Sequence, residues 1–260
     1  MTILEQLAEH ARERVAEAKE TVSMEAMKRM ALGMPKGAFA FEKALKKPGI
    51  SFICECKKAS PSKGIIAEEF PYARIALDYE EAGAEAISVL TEPKWFLGKN
   101  EYLQEISRMV SIPCLRKDFT IDEYMIYEAK VLGASAVLLI CSILSEKEIS
   151  DYIKICDSLG LSALVEVHDE KEVQIAVEAG ARVIGVNNRN LKDFTVDTQN
   201  CIRLRSLVPE HILFVAESGV KTRADIETLQ EIGVDVVLIG ETMMRAEDKK
   251  EKLKELRSSL

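Results

Sequence analysis

Leu132-Gly133-Ala134-Ser135-Ala136-Val137-Leu138-Leu139-Ile140 is an amphipathic segment that ends in a glycine and passes at once into an apolar, β-prone run. A glycine there suits the left-handed position that closes a helix, and a short continuous apolar run bounded by turn residues suits a buried strand. The same pattern surrounds Gly83, Gly160, Gly180 and Gly233, followed by Ala86 to Leu90, Leu161 to Val165, Ala181 to Val186 and Val234 to Ile239. The intervals from Gly83 to Gly133 and from Gly180 to Gly233 are about double the others, so each should hide one further unit. Ser111 to Lys117 lies in the first and Glu210 to Ala216 in the second. Ser145 with Glu148 and Thr222 with Asp225 mark helix starts between strands. With the apolar run opening at Phe52, this gives eight strands alternating with helices and no linker between them. That many βα units over roughly 210 residues imply a closed parallel (β/α)8 barrel of the TIM type. An open doubly wound sheet is the alternative, but the chain carries no dinucleotide fingerprint.

Upstream of the barrel, residues 1–47 read as a helical extension. Leu4, Leu7, Ala8, Ala11, Val15 and Ala18 recur at helical spacing. Met24 to Leu32 suggests a second helix, broken by Gly33-Met34-Pro35-Lys36-Gly37. Having no strand partner, the extension is expected to pack across one mouth of the barrel. Residues 1–260 are then expected to form a single domain, with the barrel from residue 48 onward.

The chain has 47% hydrophobic and 30% charged residues and a formal net charge of -8, which argues against wholesale nucleic-acid binding. No apolar run reaches membrane-spanning length, and the N-terminus lacks a secretory pattern. A cytoplasmic, membrane-free protein is expected, with a monomer as the expected oligomeric state. Six cysteines are scattered, Cys54, Cys56, Cys114, Cys141, Cys156 and Cys201, and read as buried thiols without a disulfide framework. Three histidines and no second Cys pair argue against a zinc site. Acid–base chemistry must therefore rest on Lys and Glu.

In a (β/α)8 barrel the active site lies where the strands end. Those ends read Glu55 and Lys57; Thr91-Glu92-Pro93-Lys94-Trp95-Phe96; Lys117-Asp118-Phe119; Cys141-Ser142; Glu166-Val167-His168; Asn187-Asn188-Arg189; Glu217-Ser218-Gly219; and Gly240-Glu241. Taken alone, Glu55 and Lys57, side by side on one strand face, fit a structural ion pair as well as a catalytic one. Ionisable groups gathered at one end of eight apolar strands favour catalysis. Three parts separate: Lys57 and Lys117 with Glu55, Glu166 and Glu217 as an acid–base centre; Trp95, Phe96 and Phe119 as an aromatic pocket, with core packing the alternative for any one of them; and Ser218-Gly219-Val220 with Gly240-Glu241-Thr242 as glycine turns entering helices, suited to phosphate.

Glu-Cys-Lys-Lys-Ala-Ser-Pro-Ser-Lys-Gly (55–64), Thr-Glu-Pro-Lys-Trp-Phe-Leu-Gly (91–98), Leu-Arg-Lys-Asp-Phe (115–119), Leu-Val-Glu-Val-His (164–168), Ile-Gly-Val-Asn-Asn-Arg (184–189), Ala-Glu-Ser-Gly-Val (216–220) and Leu-Ile-Gly-Glu (238–241) resemble the indole-3-glycerol phosphate synthase family, in order and over nearly the whole chain. The resemblance implies an enzyme of tryptophan biosynthesis, a carboxy-lyase that needs no metal or cofactor. Its substrate would be the phosphorylated small molecule 1-(2-carboxyphenylamino)-1-deoxyribulose 5-phosphate, closed to indole-3-glycerol phosphate with loss of carbon dioxide and water. By the same resemblance Lys117 is the general acid at the ketone oxygen, and Lys57, held by Glu55, meets the substrate carboxylate. Glu166 is the base of rearomatisation, and Asn187, Arg189, Glu217 and Ser218 position the intermediate. Ser60, Trp95, Phe96 and Phe119 contact substrate, while Gly219, Gly240 and the backbone N–H of Glu241 hold the phosphate. Valine at Gly240 is then expected to raise KM with a smaller effect on kcat. Alternatives are another sugar-phosphate barrel, such as a phosphoribosylanthranilate isomerase-like enzyme, or a non-catalytic binding barrel.

Overall fold

The computed structural model describes residues 1–189 and 195–257; the last three residues of the expected domain, and 190–194, lie outside them. Eight parallel strands close into a barrel: β1 Ser51–Cys56, β2 Ala86–Leu90, β3 Cys114–Lys117, β4 Ala136–Ile140, β5 Ser162–Val167, β6 Val183–Asn187, β7 Leu213–Glu217 and β8 Val236–Ile239. Each lies beside its sequence neighbours, and β8 pairs with β1. The five glycines that mark the repeat all have positive φ, from 69° at Gly160 to 91° at Gly83. Only a residue without Cβ takes that conformation freely, which is why the helix–strand punctuation was legible. Ser145 and Thr222 both form capping boxes, with Glu148 and Asp225.

The period-2 geometry of a strand explains how the site arises. Ile53, Leu115, Leu164 and Val215 point inward and pack as one interior cluster. Two residues further along the same faces stand Glu55, Lys117, Glu166 and Glu217. Phe52, Cys54 and Cys56 point outward against the helices. Thus the barrel interior is apolar below and ionic at its top layer. Register sets that layer: Leu90 pairs with Lys117, Ile140 with Glu166 and Asn187 with Glu217. All six cysteines are buried free thiols.

The extension reaches both ends of the barrel, not one. Helix α1 (Ile3–Thr21) starts with a Thr2–Glu5 capping box and lies over the strand C-termini. Its Leu7 and Ala11 join the interior cluster, and its Arg14 and Lys19 pair with Asp118 and Asp122. Helix α2 (Met24–Gly33) runs along the helix Glu123–Val131. Gly37 then donates to the Leu159 carbonyl and Phe39 to that of Gly160. A short helix α3 (Ala40–Leu45), not anticipated from sequence, closes the opposite mouth with Phe41 and Leu45. Burial of each such large apolar side chain contributes about 1.5–3 kcal/mol, so the extension is anchored at both ends.

Candidate active site

A cavity of about 680 Å³ opens at the C-terminal ends of the strands. On its floor Lys117 Nζ stands 3.6 Å from Glu166 Oε2 and 3.5 Å from Glu217 Oε2. Lys57 Nζ lies 2.6 Å from Glu55 Oε1, and Ser88 Oγ donates to Glu55 Oε2 at 3.1 Å. Glu55, Glu166 and Glu217 are at most 4% exposed. Room for Glu217 comes from Gly185, where a β-carbon would collide with Glu217 Oε1.

Burial by itself disfavours every one of these charges. For Glu55 it is outweighed by the charges of Lys57 and Lys117 and by hydrogen bonds from Lys57 and Ser88, which hold it below the usual carboxylate range. For Lys117 burial is outweighed by Glu217, Glu166 and Glu55, which push it above the usual lysine value. The two glutamates that share Lys117 diverge. Desolvation and the nearby carboxylates Glu166 and Glu55 outweigh Lys117 and raise Glu217. Glu166 is also desolvated, but Lys117, His168 and Asn187 bring it well below its ordinary value. One of the pair is thus held ionised and the other keeps a proton toward neutrality.

At β6 and β7, Asn187 Oδ1 accepts from Ser218 Oγ and from the Arg189 backbone N–H, both at 3.0 Å. Arg189, Ser218, Gly219, Gly240 and Glu241 line the cavity. Ser218 and Gly219 are consecutive left-handed residues, with φ of 66° and 92°. The following helix, Arg223–Glu231, opens with a Thr222–Asp225 capping box. Asp225 accepts from the backbone N–H groups of Lys221 and Thr222, so its N-terminus is already capped. Gly240 caps only the five-residue helix Glu241–Arg245. The Glu241 carboxylate turns to Arg245 at 3.1 Å and Lys63 at 3.7 Å. Lys63, Lys221 and Arg245 therefore surround this end of the cavity. Sequence reasoning gave Lys221 and Arg245 no role, whereas Lys63 is the cation of the glycine-ended loop after β1.

Of the three expected aromatic residues the structure brings two together. Phe96 and Phe119 line the cavity with ring centroids 5.9 Å apart, and Ser60 lies in the same wall. Trp95 instead packs its ring on His10 of α1, centroids 5.5 Å apart. The reason is Glu92, fully buried, which accepts from the backbone N–H groups of Lys94, Trp95 and Phe96 and pairs with His10. Asp118, beside Lys117, is another residue that sequence reasoning left without a role. It accepts two hydrogen bonds from Arg14 and one from Thr91. Among the described residues no group of three His, Cys, Asp or Glu side chains is placed to hold a metal ion.

A parallel barrel with an ionic Lys/Glu centre on its floor, aromatic rings on one wall and a cationic glycine-turn wall opposite belongs to the class of barrels that act on phosphorylated small molecules. The family model described as indole-3-glycerol phosphate synthase matches residues 4–256. A protein of that name from Ruminiclostridium cellulolyticum is 57% identical over 258 residues, covering 99% of each chain. Another from Endomicrobium trichonymphae is 52% identical over 256 residues, covering 98% of this chain and 99% of that one. The chain belongs to the indole-3-glycerol phosphate synthase family. Among solved structures, 3-hexulose-6-phosphate synthase superposes with a TM-score of 0.66 at 17% identity, over 80% of this chain and 98% of the other. The tryptophan synthase complex of Pyrococcus furiosus does so at 0.59 and 15%, over 79% and 97%. At those identities the likeness is one of fold. No helix among the described residues is long and apolar enough to cross a membrane.

Proposed function

We propose that this chain closes the pyrrole ring of 1-(2-carboxyphenylamino)-1-deoxyribulose 5-phosphate, releasing carbon dioxide and water and leaving indole-3-glycerol phosphate, and is thus a carboxy-lyase. The observation that carries the reading is Lys117 on the cavity floor, charged and shared by Glu166 and Glu217, in a chain that matches the family over 4–256. Lys117 donates to the ketone oxygen as the ring carbon attacks. A lysine with a raised pKa still suits this step, because the developing alkoxide is more basic than the lysine's amine. Lys57, oriented by Glu55, faces the carboxylate that leaves as carbon dioxide and donates to the departing hydroxyl. Glu166 takes the proton whose loss restores the aromatic ring. Asn187, Arg189, Ser218 and Glu217 orient the intermediate, and Phe96 and Phe119 flank its ring.

Incubation with the phosphorylated substrate, followed by indole fluorescence, tests the reading. Appearance of the indole product supports it. Isomerisation without fluorescence would point to another sugar-phosphate barrel, and tight binding without turnover to a binding protein.

Two further outcomes are expected. Dephosphorylation of the substrate should raise KM far more than it lowers kcat, because a phosphate held alike in ground and transition states adds uniform binding. Equal KM values for the two substrates would move the phosphate away from Lys63, Lys221 and Arg245. Gly240→Ala should do more than the sequence suggested. A β-carbon there would stand 2.6 Å from Glu55 Oε1 and 2.7 Å from Lys57 Nζ, too close without a shift of that pair. Since φ at Gly240 is −105°, backbone strain is not the cause. Steady-state kinetics should show kcat falling together with the rise in KM; a change in KM alone would mean that the Lys57–Glu55 pair plays no part in the chemistry.

A further inference from the structure

His168 follows the strand β5 that carries Glu166 and has a carboxylate on each side. Its Nδ1 is 3.1 Å from Glu172 Oε2 and 3.1 Å from Ser142 Oγ. Its Nε2 is buried, stands 3.3 Å from Glu166 Oε1 as an ion pair, and has no hydrogen-bond partner among the described residues. Glu172, on the helix Glu170–Glu178, is itself held: it accepts from the His168 backbone N–H at 2.8 Å and from Ser142 Oγ at 2.6 Å. A neutral imidazole has one N–H, so it can satisfy only one of two facing carboxylates; the imidazolium satisfies both.

We propose that His168 is a positioning residue for the reaction: anchored by Glu172 and Ser142, it sets a fixed positive charge against Glu166 Oε1 and so decides that Glu166, not Glu217, is the ionised carboxylate beside Lys117. Lys117 does not choose between them, since its Nζ lies 3.6 Å from one and 3.5 Å from the other. Two carboxylates around one cation cannot both stay ionised cheaply. The groups that act on Glu166 are Lys117 from β3, Asn187 from β6, Glu217 from β7 and His168, while Glu55 from β1 acts on Glu217. Of these only His168 adds a cation to Glu166 and none to Glu217, and Glu217 Oε1 has no hydrogen-bond partner among the described residues. Around His168 stand Glu166, Glu172 and Ser142, with Asn200 donating to its carbonyl. Burial alone would lower His168, but the close carboxylates of Glu166 and Glu172 push it up to about 10. The ring is therefore charged across the working range. The inference rests on Glu166 being the base of rearomatisation.

The test joins kinetics to NMR. With only three histidines in the chain, imidazole ¹⁵N signals can be assigned by substitution. The wild-type His168 ring is expected to carry both protons at pH 8 and to lose one earlier in Glu172→Gln. In His168→Gln the acid limb of kcat against pH should move up by about one unit, the size of shift one adjacent charge produces. Turnover then falls about tenfold on the acid side, recovers above the limb, and KM changes little. Glu172→Gln should move the limb in the same direction. A neutral His168 at pH 8, or an acid limb that stays in place in both variants, overturns the inference. Glu166→Gln serves as the control: if it keeps wild-type turnover, the assignment of the base fails, whatever the His168 variants show.

Discussion

Replacing Lys117 by alanine should lower kcat by about 10²- to 10⁴-fold, the usual worth of a positioned general acid, while leaving the phosphate end of the cavity able to bind. The lysine acts on charge that exists only as the ketone oxygen becomes an alkoxide, so its removal costs transition-state rather than ground-state stabilisation. Its cation is also what lets Glu55, Glu166 and Glu217 coexist on one floor. Once it is gone, the buried carboxylates lower their energy by taking up protons. The base is then blocked as well as the acid missing, and raising the pH should restore only a small part of the rate. Binding of indole-3-glycerol phosphate, followed by calorimetry, should weaken much less than kcat. A variant that keeps more than a tenth of wild-type kcat removes Lys117 from the chemistry.

The largest stability effect is expected at Asp118. Its carboxylate is 1% exposed and accepts from Arg14 Nη2 at 2.7 Å and Nη1 at 3.1 Å, from Thr91 Oγ1 at 2.6 Å and from the Phe119 N–H at 2.8 Å. Arg116 Nη2 lies 3.8 Å away. Asp118→Asn keeps the shape but removes the charge, leaving Arg14 without its counter-charge. Breaking a buried pair in this way costs about 3–5 kcal/mol, against a total stability of about 5–15 kcal/mol. The midpoint of thermal unfolding should fall by about 10 °C. The pH dependence identifies the cause. Burial tends to raise Asp118, but Arg14, Arg116 and the Thr91 hydrogen bond outweigh it and lower its pKa in the folded state. A depressed carboxylate stabilises fully above its unfolded value of about 3.9 and loses that contribution as pH falls through the lower, folded value. The gap between wild type and variant should thus be constant near pH 7 and narrow below about pH 4. A gap of under 1 kcal/mol at pH 7 in denaturant titration, or one that does not narrow in acid, would show that the charge is not what holds α1 to the barrel.

The barrel was legible in the sequence because its signals are local. A helix end that needs positive φ selects glycine within one residue, as at Gly83, Gly133, Gly160, Gly180 and Gly233. The alternation that sends Ile53 inward sends Glu55 the same way, so the ionic layer at the strand ends could be read from spacing alone. What only the tertiary structure decided depends on partners far apart in the chain. Arg14 meets Asp118 across 104 positions and His10 meets Glu92 across 82, and these contacts lay α1 over the catalytic mouth while α3 closes the other. Glu92 turns Trp95 onto His10 and leaves Phe96 and Phe119 to the cavity. Asp225 caps the helix that was expected to bind phosphate. Closure of the barrel, which sets β8 beside β1, puts Gly240 against Glu55 and Lys57. The same holds for Glu166 and Glu217, which the sequence shows only as two glutamates at strand ends. Coulomb energy follows distance in space and the local dielectric, so which of the two is ionised depends on where Lys117 and His168 stand once the barrel has closed.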